Sequence, residues 1–598
     1  MSRPYFHQFE DRFPPPAPPL PPHRATAWHL MAGLTIGLGV WYICWRWSVS
    51  LNPDAIVFSV AVAAAETLSF AGTLLFFHDI WDENDTPTTP PPDNRADLGL
   101  EGDGPIRVDL FITTFDEEAA LVAPSLEATR ALRIPTGVTL SLHLLDDGNR
   151  AEFAALADRF GARYHTRHGN RGFKAGNLKN ALFATRGDFI IICDADTRIL
   201  PGFVEHTLGY FRDPRVAWVQ TPHWFYDIPP GESWRAWLTR KFGARARVAA
   251  PLMAWLTGRE RVGEDPFLAN PGLFFDVVQR RRNRNHASFC CGAGSIHRRE
   301  ALFDCALKRQ GDQMRELLKS GGAGRGAASD PLSAPAPASA LLARTEVEPF
   351  RFHVSEDIHT SILQHADGWR SVYHPQAETR MLSPWSMRAW KTQQLKYAGG
   401  TFDIILRANP LWRSGMGWRI RLHYAATFWS YLSVLWIPVL LLAPVFSLLT
   451  GIAPVAAYSA EFFLHILPIL ITNELALILA CKGHDIHSGR ILSLGLLPLR
   501  YQALGQVLRG RRVAFPPTPK TPARLQGLRH ALPNLLLLGV MAAAGLWGIA
   551  GYMTGQSGQT VPFLVVNLFW LMLNANAVNR AVLAALWQPP EMASERMA

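Results

Sequence analysis

Charge is scarce in this sequence. Asp, Glu, Lys and Arg make up 18% of it, against 48% hydrophobic residues, a ratio rich in apolar side chains for a soluble protein. Cysteine is also sparse. The six present, Cys44, Cys193, Cys290, Cys291, Cys305 and Cys481, show neither CxxC pairing nor metal spacing. Cys44 and Cys481 fall in apolar runs, where a thiol serves as a small buried hydrophobe, and a reducing compartment is expected for the soluble part. There is no zinc finger, RNA-binding signature or lysine-rich tail. The net charge of +10 therefore points away from nucleic acid and toward an anionic membrane surface or an anionic substrate. The N-terminal "FPPPAPPLPPHR" is proline-rich and carries no signal-peptide cleavage pattern, so it reads as a retained arm, residues 1–26.

What is abundant is apolar sequence near the two ends. A membrane span needs about 20 apolar residues to cross roughly 30 Å of hydrocarbon. Six segments qualify, at approximately 27–47, 55–77, 422–449, 461–481, 529–553 and 561–586. The 450–460 and 554–560 loops hold no basic residue, whereas the 482–526 loop carries Lys482, Arg490, Arg500, Arg509, Arg511, Arg512, Lys520 and Arg524. The excess of basic residues marks the cytoplasmic side, which puts the 78–421 region and both termini in the cytoplasm. Glu66 and Glu474 lie within spans, where a carboxylate is costly. Each is read either as an interior pair with a hydroxyl or amide, or as polar lining for a hydrophilic solute. Asn567 and Asn574, seven apart on one helical face, favour the lining.

The middle of the chain has the mixed composition of a soluble α/β domain, 100–382. "RVDLFITTFDEE" (107–118), "TLSLHLLDDGN" (139–149) and "GDFIIICDADT" (187–197) read as strands ending in carboxylates, with helical stretches between them. That alternation predicts a parallel sheet, in which ligands bind beyond the carboxyl ends of the strands. Asp146, Asp147, Asp194 and Asp196 all fall there. If the strand stays extended, Asp194 and Asp196 point the same way and can face one hard cation, since Mg²⁺ or Mn²⁺ is held by carboxylates plus substrate phosphates. A turn or helix cap is the competing reading of the same residues. Lys174 in "GFKAGNLKNAL" can serve a diphosphate. Glu356 and Asp357 precede an apolar helix, where a cap is again the alternative. "SPWSMRAWKT", with Trp385 and Trp390, suits an amphipathic helix on the membrane surface within residues 383–418. Residues 306–345 read as a flexible insertion.

In order and spacing these segments resemble the processive family 2 glycosyltransferases, and within them the bacterial cellulose synthase catalytic subunit. The resemblance runs from about residue 105 to 525, with spans on both sides in the matching order. It rests on DDG at 146–148, DAD at 194–196, SED at 355–357 and QQLKY at 393–397. "KAGNLKNAL" (174–182), "VQTPHWF" (219–225), "FCCGAGSIHRREAL" (289–302) and "FPPTPK" (515–520), similar to a gating loop, accompany them.

The resemblance implies a cytoplasmic GT-A, Rossmann-like α/β domain inserted in a six-helix bundle. Its spans would occupy 27–77, 419–481 and 527–586, with a cytoplasmic loop at 482–526 and a tail at 587–598. It implies an enzyme of the inner membrane that polymerises glucose from UDP-glucose into a β-glucan and passes it outward, in contact with membrane lipid and a periplasmic accessory subunit. Phe115, Glu117 and Asp146 would then meet the uridine, and Lys174 and Asp194 the diphosphate, with Lys396, Thr518 and Lys520 also on the donor side. Asp194 and Asp196 would hold Mg²⁺ or Mn²⁺. Asp357 would be the general base, and Cys291, Gly292, Glu356, Gln393 and Tyr397 would meet the acceptor.

The chain departs from the family pattern where Lys396-Tyr397 replaces Arg-Trp, SED replaces TED and Pro517 replaces valine. Lysine keeps the charge without the two-pronged guanidinium geometry. No PilZ-type extension follows the last span, so control through such a domain is not expected. Two other readings stay open, a single-step transferase acting on a lipid-linked acceptor and an inactive glycan-translocating or sensing protein.

Overall fold

The computed structural model describes residues 5–228, 231–257, 261–263, 265, 267, 271–321, 345–384, 386–510, 527–555 and 559–587. Twelve strands run in chain order: β1 (Ile106–Thr114), β2 (Val138–Asp146), β3 (Arg163–Thr166), β4 (Phe189–Asp194), β5 (Arg198–Ile199), β6 (Val216–Gln220), β7 (His223–Phe225), β8 (Glu232–Ser233), β9 (Arg261–Val262), β10 (Ser295–Arg298), β11 (Arg370–Tyr373) and β12 (Thr379–Met381). Seven form one sheet in the order β11-β6-β10-β4-β1-β2-β3. Its β4-β1-β2-β3 half is parallel and β10 runs antiparallel between β4 and β6. β1 and β4 read as near-continuous apolar runs because helices cover both of their faces. Val108, Leu110, Ile112, Phe189 and Ile191 face one core and Phe111, Ile190 and Ile192 the other. A second, three-stranded sheet, β5-β12-β7, extends from the residues just after DAD.

Among the described residues, six helices are long and apolar enough to cross a membrane: Pro22–Ser48, Pro53–Asp79, Trp418–Thr450, Ala460–Ala480, Leu528–Met553 and Val561–Leu586. The third starts earlier than its apolar run, because Trp418, Arg419 and Arg421 continue the helix before the hydrocarbon-length stretch. Residues at one end of the bundle meet each other. Asn52 donates to the Ala453 carbonyl (2.9 Å), Arg46 to that of Pro454 (2.9 Å) and the Ala456 amide to Ser50 (3.0 Å). At the other end Lys482 pairs with Asp276 (2.8 Å), Arg198 with Glu10 (3.2 Å), and Trp587 packs edge-on against Phe267. The basic loop, the N-terminal arm and the end of the last span therefore share a side with the transferase-like domain. Between the spans lies a cavity of about 330 Å³, whose lining includes Tyr42, Glu66, Tyr458, Asn473, Asn567 and Asn574.

Glu66 is satisfied by Arg46, which donates to it at 2.8 Å from a fully buried side chain. The Arg46 cation is joined there by the Tyr42 hydroxyl, a partner of the kind the sequence suggested. Glu474 lies 3.0 Å from His487. Three further expectations change. Residues 306–321 are not loose but complete the helix Arg299–Gly321, because Leu302, Cys305 and Ala306 recur on one buried face. Trp390 is buried in the helix Met387–Arg407 against Phe267 and Leu496 rather than lying on a lipid surface, and Trp385 lies outside the described residues. The basic loop contains two short helices, Ser488–Gly495 and Leu497–Leu508, packed on the bundle.

The domain is locked to the spans by three consecutive buried arginines. Arg282 holds Asp79, the last residue of the second span, at 2.6 and 2.8 Å, and also donates to Thr427 of the third. Arg281 donates to the carbonyls of Ile80 and Ala480, and Arg280 to Asp85, Asp276 and the Ala17 carbonyl of the arm. Removing one member of a buried pair strands the other charge and costs about 3–5 kcal/mol. Asp79→Ala should therefore lower the thermal unfolding midpoint in detergent sharply and reduce monodisperse yield, while Asp82→Ala, at a half-exposed neighbour, should change little.

Candidate active site

β1, β2 and β4 end side by side, with Thr114 paired to Asp146 and Thr113 to Asp194. The register places three polar strand ends along one edge of the sheet. β4 stops at Asp194 and the chain turns through Ala195–Asp196. The two carboxylates are thus arranged by a turn, not by strand alternation as an extended DxD would require. The Asp194 amide donates to the Thr197 hydroxyl oxygen (3.1 Å), and the Asp194 carbonyl accepts from the Thr197 amide (2.9 Å), closing that turn. Asp194 keeps a half-exposed side chain, while Asp196 is buried. His223 feels both carboxylates. Burial, opposed by its bond to the Ala293 carbonyl and by the two aspartates, lowers its pKa. Two carboxylates at one turn, an all-oxygen donor set with one of them half exposed, fit a hard divalent cation.

Lys174 stands in the first turn of the helix Phe173–Ala184 and donates to Asp194. Burial opposes its charge, but Asp194, Glu356 and Asp357 outweigh that and hold the ammonium above the usual lysine range. Asp357 lies in the first turn of the helix Glu356–Ala366 and accepts the Ile358 amide at 2.8 Å. Desolvation raises both Glu356 and Asp357, the negative neighbour raising Glu356 further, to about 8. Gly292 sits between them. Its φ is +90°, and a Cβ there would lie 3.5 Å from Lys174 Nζ and 3.6 Å from Asp357 Oδ2. The backbone itself thus floors the space between the Lys174 ammonium and the Asp357 carboxyl. Lys174, Asp194, Glu356, Asp357 and Gly292 form one cluster at the strand ends.

Tyr397 joins it from the helix Met387–Arg407. The ring is half exposed to the cleft, and burial of the hydroxyl, with Asp357 and Cys291 nearby, raises its pKa. Gln393 and Lys396 lie on the same helix, one turn away or adjacent. What brings that helix close is Gly400. A Cβ at 400 would lie 2.1 Å from Ser355 Oγ and 2.8 Å from Val354, so only glycine permits this approach to SED.

Two of the three residues expected on the uridine side make hydrogen bonds within the protein. Glu117 turns back to accept the Thr114 hydroxyl and the Phe115 amide, both at 2.8 Å, and leaves Phe115 exposed. Asp146 is fully buried and accepts from the Gly148 and Arg150 amides (2.9 and 2.8 Å), the Arg150 guanidinium (2.8 Å) and Tyr164 (2.9 Å). It organises the 146–150 loop from beneath. Thr518 and Lys520 lie outside the described residues.

Sequence reasoning missed three supports. Arg150 ties Asp146 to Thr114 and the Glu117 carbonyl. Arg167 holds Asp147 bidentately (2.6 and 2.8 Å). Gln220, fully buried, accepts the Cys291 amide (2.8 Å) and donates to the Ala293 carbonyl (3.0 Å), shaping the Gly292 loop. Only Gln220 had a signal, its place in "VQTPHWF".

The fold and the cleft define a class, a GT-A transferase domain set against a bundle of membrane helices. Residues 109–303 match the model of glycosyl transferase family 2, and 266–476 that of glycosyl transferase family group 2. Cellulose synthase 2 of Novacetimonas hansenii is 26% identical over 564 residues, 92% of this chain and 30% of that protein. The UDP-forming cellulose synthase catalytic subunit of Pseudomonas fluorescens is 26% identical over 561 residues, 91% of this chain and 64% of that protein. A solved mannosyltransferase from Pyrobaculum calidifontis, in complex with GDP-Man and Mn²⁺, aligns with a TM-score of 0.37 at 16% identity, over 71% of this chain and 98% of that one. By these matches the chain is similar to glycosyl transferase family 2 and to the bacterial cellulose synthases. It spans less than two thirds of the length of the first cellulose synthases it matches.

Gly400→Ala should overpack the Ser355 contact, lowering stability by about 1–3 kcal/mol. Ser355→Gly in the same molecule should recover part of that loss, and thermal unfolding of the two variants checks the coupling.

Proposed function

We propose that the protein is a UDP-sugar-dependent, inverting hexosyltransferase that polymerises glucose from UDP-glucose into a β-glucan and passes the chain through the bundle. The observation that carries this reading is the cluster of Asp357, Lys174, Asp194 and Tyr397 around Gly292, at the strand ends and beside the membrane helices. The acceptor sugar rests against Tyr397, its hydroxyl directed to Asp357. Asp357 takes the hydroxyl proton as the oxygen attacks the anomeric carbon, which a base within hydrogen-bond reach can do. The bond from that carbon to the diphosphate oxygen breaks on the opposite face, converting an α-linked donor to a β-linkage. Lys174 steadies the departing diphosphate. A divalent cation held by Asp194 and Asp196 would add positive charge at the same oxygens. Phe115, on the turn that Glu117 shapes, offers an aromatic face to the base.

The bundle cavity supports outward passage. Tyr42, Tyr458, Asn473, Asn567 and Asn574 turn hydroxyls and amides inward, suited to sugar hydroxyls. Lys482, at the start of the basic loop, pairs with Asp276 of the domain, which supports a cytoplasmic active site.

Asp357→Asn should keep UDP binding and lose about 10²-fold or more in UDP release from UDP-glucose. Near-normal turnover would overturn the assignment. Because both carboxyls are raised, the charged base appears only as pH climbs above the ordinary carboxylate range, so the acid limb of the rate profile should lie high. Glu356→Gln should leave the limb in place, because desolvation and the Asp194 charge, not Glu356, raise Asp357.

A further inference from the structure

A second group of metal-ligating side chains lies away from the cleft. His206, in the short helix Phe203–Thr207, meets His374, just after β11, and Glu378, just before β12. One donor atom from each lies within 4.8 Å of the others. His206 Nδ1 is 2.5 Å from Glu378 Oε1, and His374 Nε2 is 3.7 Å from that same oxygen. Four-coordinate zinc, with ligands at about 2.0–2.2 Å, spaces its donors about 3.3 Å apart. Shifts well under the length of a bond bring this trio to that spacing.

Three features point to a ligand rather than a hydrogen-bonded trio. His374 is 4% exposed, and its Nε2 has no hydrogen-bond partner, 3.7 Å being too long for one to Glu378. A buried, aimed and unpaired imidazole nitrogen is costly unless something occupies its lone pair. Its other nitrogen, Nδ1, shares a hydrogen bond with the Tyr210 hydroxyl (3.1 Å), which in turn meets Thr88 (3.1 Å). That is the outer partner a metal-bound histidine uses to fix its tautomer. Finally, Gly202 makes room for the His206 ring. A Cβ there would lie 2.5 Å from Cε1 and 2.8 Å from Nδ1. Arg133, which lies beside it, is already paired with Glu205 (2.6 Å). His206 is the exposed member, leaving a path for the ion and a water as fourth ligand.

We propose that His206, His374 and Glu378 bind a borderline transition-metal ion, Zn²⁺ by preference, at a structural site separate from the DAD turn. Two imidazoles and one carboxylate suit zinc, whereas the all-oxygen DAD turn suits magnesium or manganese. The site bridges two segments that serve the cleft. β5 follows DAD directly and leads into the His206 helix, while Glu378 precedes β12, which pairs with β5 and whose neighbour Leu200 donates to the Glu378 carbonyl (2.9 Å). A bound ion would staple the exit of the DAD turn to the strand leading toward the Met387–Arg407 helix.

The test uses full-length protein purified in detergent, stripped with chelator and then given Zn²⁺ or Co²⁺ alone. We expect one tightly bound Zn²⁺ per chain, the visible d–d bands of four-coordinate Co²⁺ without thiolate charge transfer, and a higher unfolding midpoint with Zn²⁺ that Mg²⁺ does not reproduce. His374→Ala and Glu378→Gln should weaken binding more than about 100-fold, and Tyr210→Phe by roughly 10–100-fold, the range for outer partners. Asp194→Ala/Asp196→Ala should leave the zinc in place. Wild-type protein that retains no Zn²⁺, or zinc that persists in His374→Ala or shows thiolate bands, would overturn the site. The wild-type stoichiometry and spectrum decide the matter even if a variant misfolds.

Discussion

The buried arginine triplet at 280–282 is the constraint on which the arrangement of this protein depends. Three consecutive guanidiniums, each about 1% exposed or little more, leave no water to satisfy their donors. They must find carboxylates and carbonyls, and they find them on five segments: the N-terminal arm, the end of the second span, the 82–85 connection, the third span and the end of the fourth. A buried charge tolerates little displacement. The domain is therefore fixed in height and rotation against the bundle, and the cleft is fixed with it.

That fixation matters because the site is composite. Asp194 and Lys174 come from the sheet half of the domain, Asp357 from the helix after the long 299–321 excursion, and Tyr397 from a helix packed on the basic-loop helices. Close contacts without side chains join the parts. Gly400 lets the Tyr397 helix touch Ser355, and Gly292 lets the backbone pass between Lys174 and Asp357. Positive charge on Lys174 and raised carboxyls at 356 and 357 are consequences of the same crowding. Desolvation and like-charge repulsion push the acids up, and the acids hold the lysine charged.

The spans, the parallel half of the sheet and the strand-end carboxylates were legible in the sequence because each follows a local rule: hydropathy over a hydrocarbon thickness, apolar runs in doubly covered strands, and short polar stretches after them; the antiparallel β10 was not. The acid pair in DAD was legible too, but its geometry was not, because strand alternation and a turn share the same letters. Asp146 shows the same limit. Its position after a strand was clear, yet only the fold reveals four protein donors converging on it from beneath the loop.

By itself the sequence determined the six apolar spans, the side on which the basic loop lies, the order of strands and motifs, and the identity of the charged residues available for chemistry. These are properties of composition and of spacing along one chain. The tertiary structure alone decided which charges meet: Arg46 with Glu66, Arg282 with Asp79, Lys174 with Asp194, and His206 with His374 and Glu378. Those partners stand from 4 to more than 200 residues apart, and no periodicity connects them. They are matched because a charge removed from water is held only where an opposite charge or a hydrogen bond meets it.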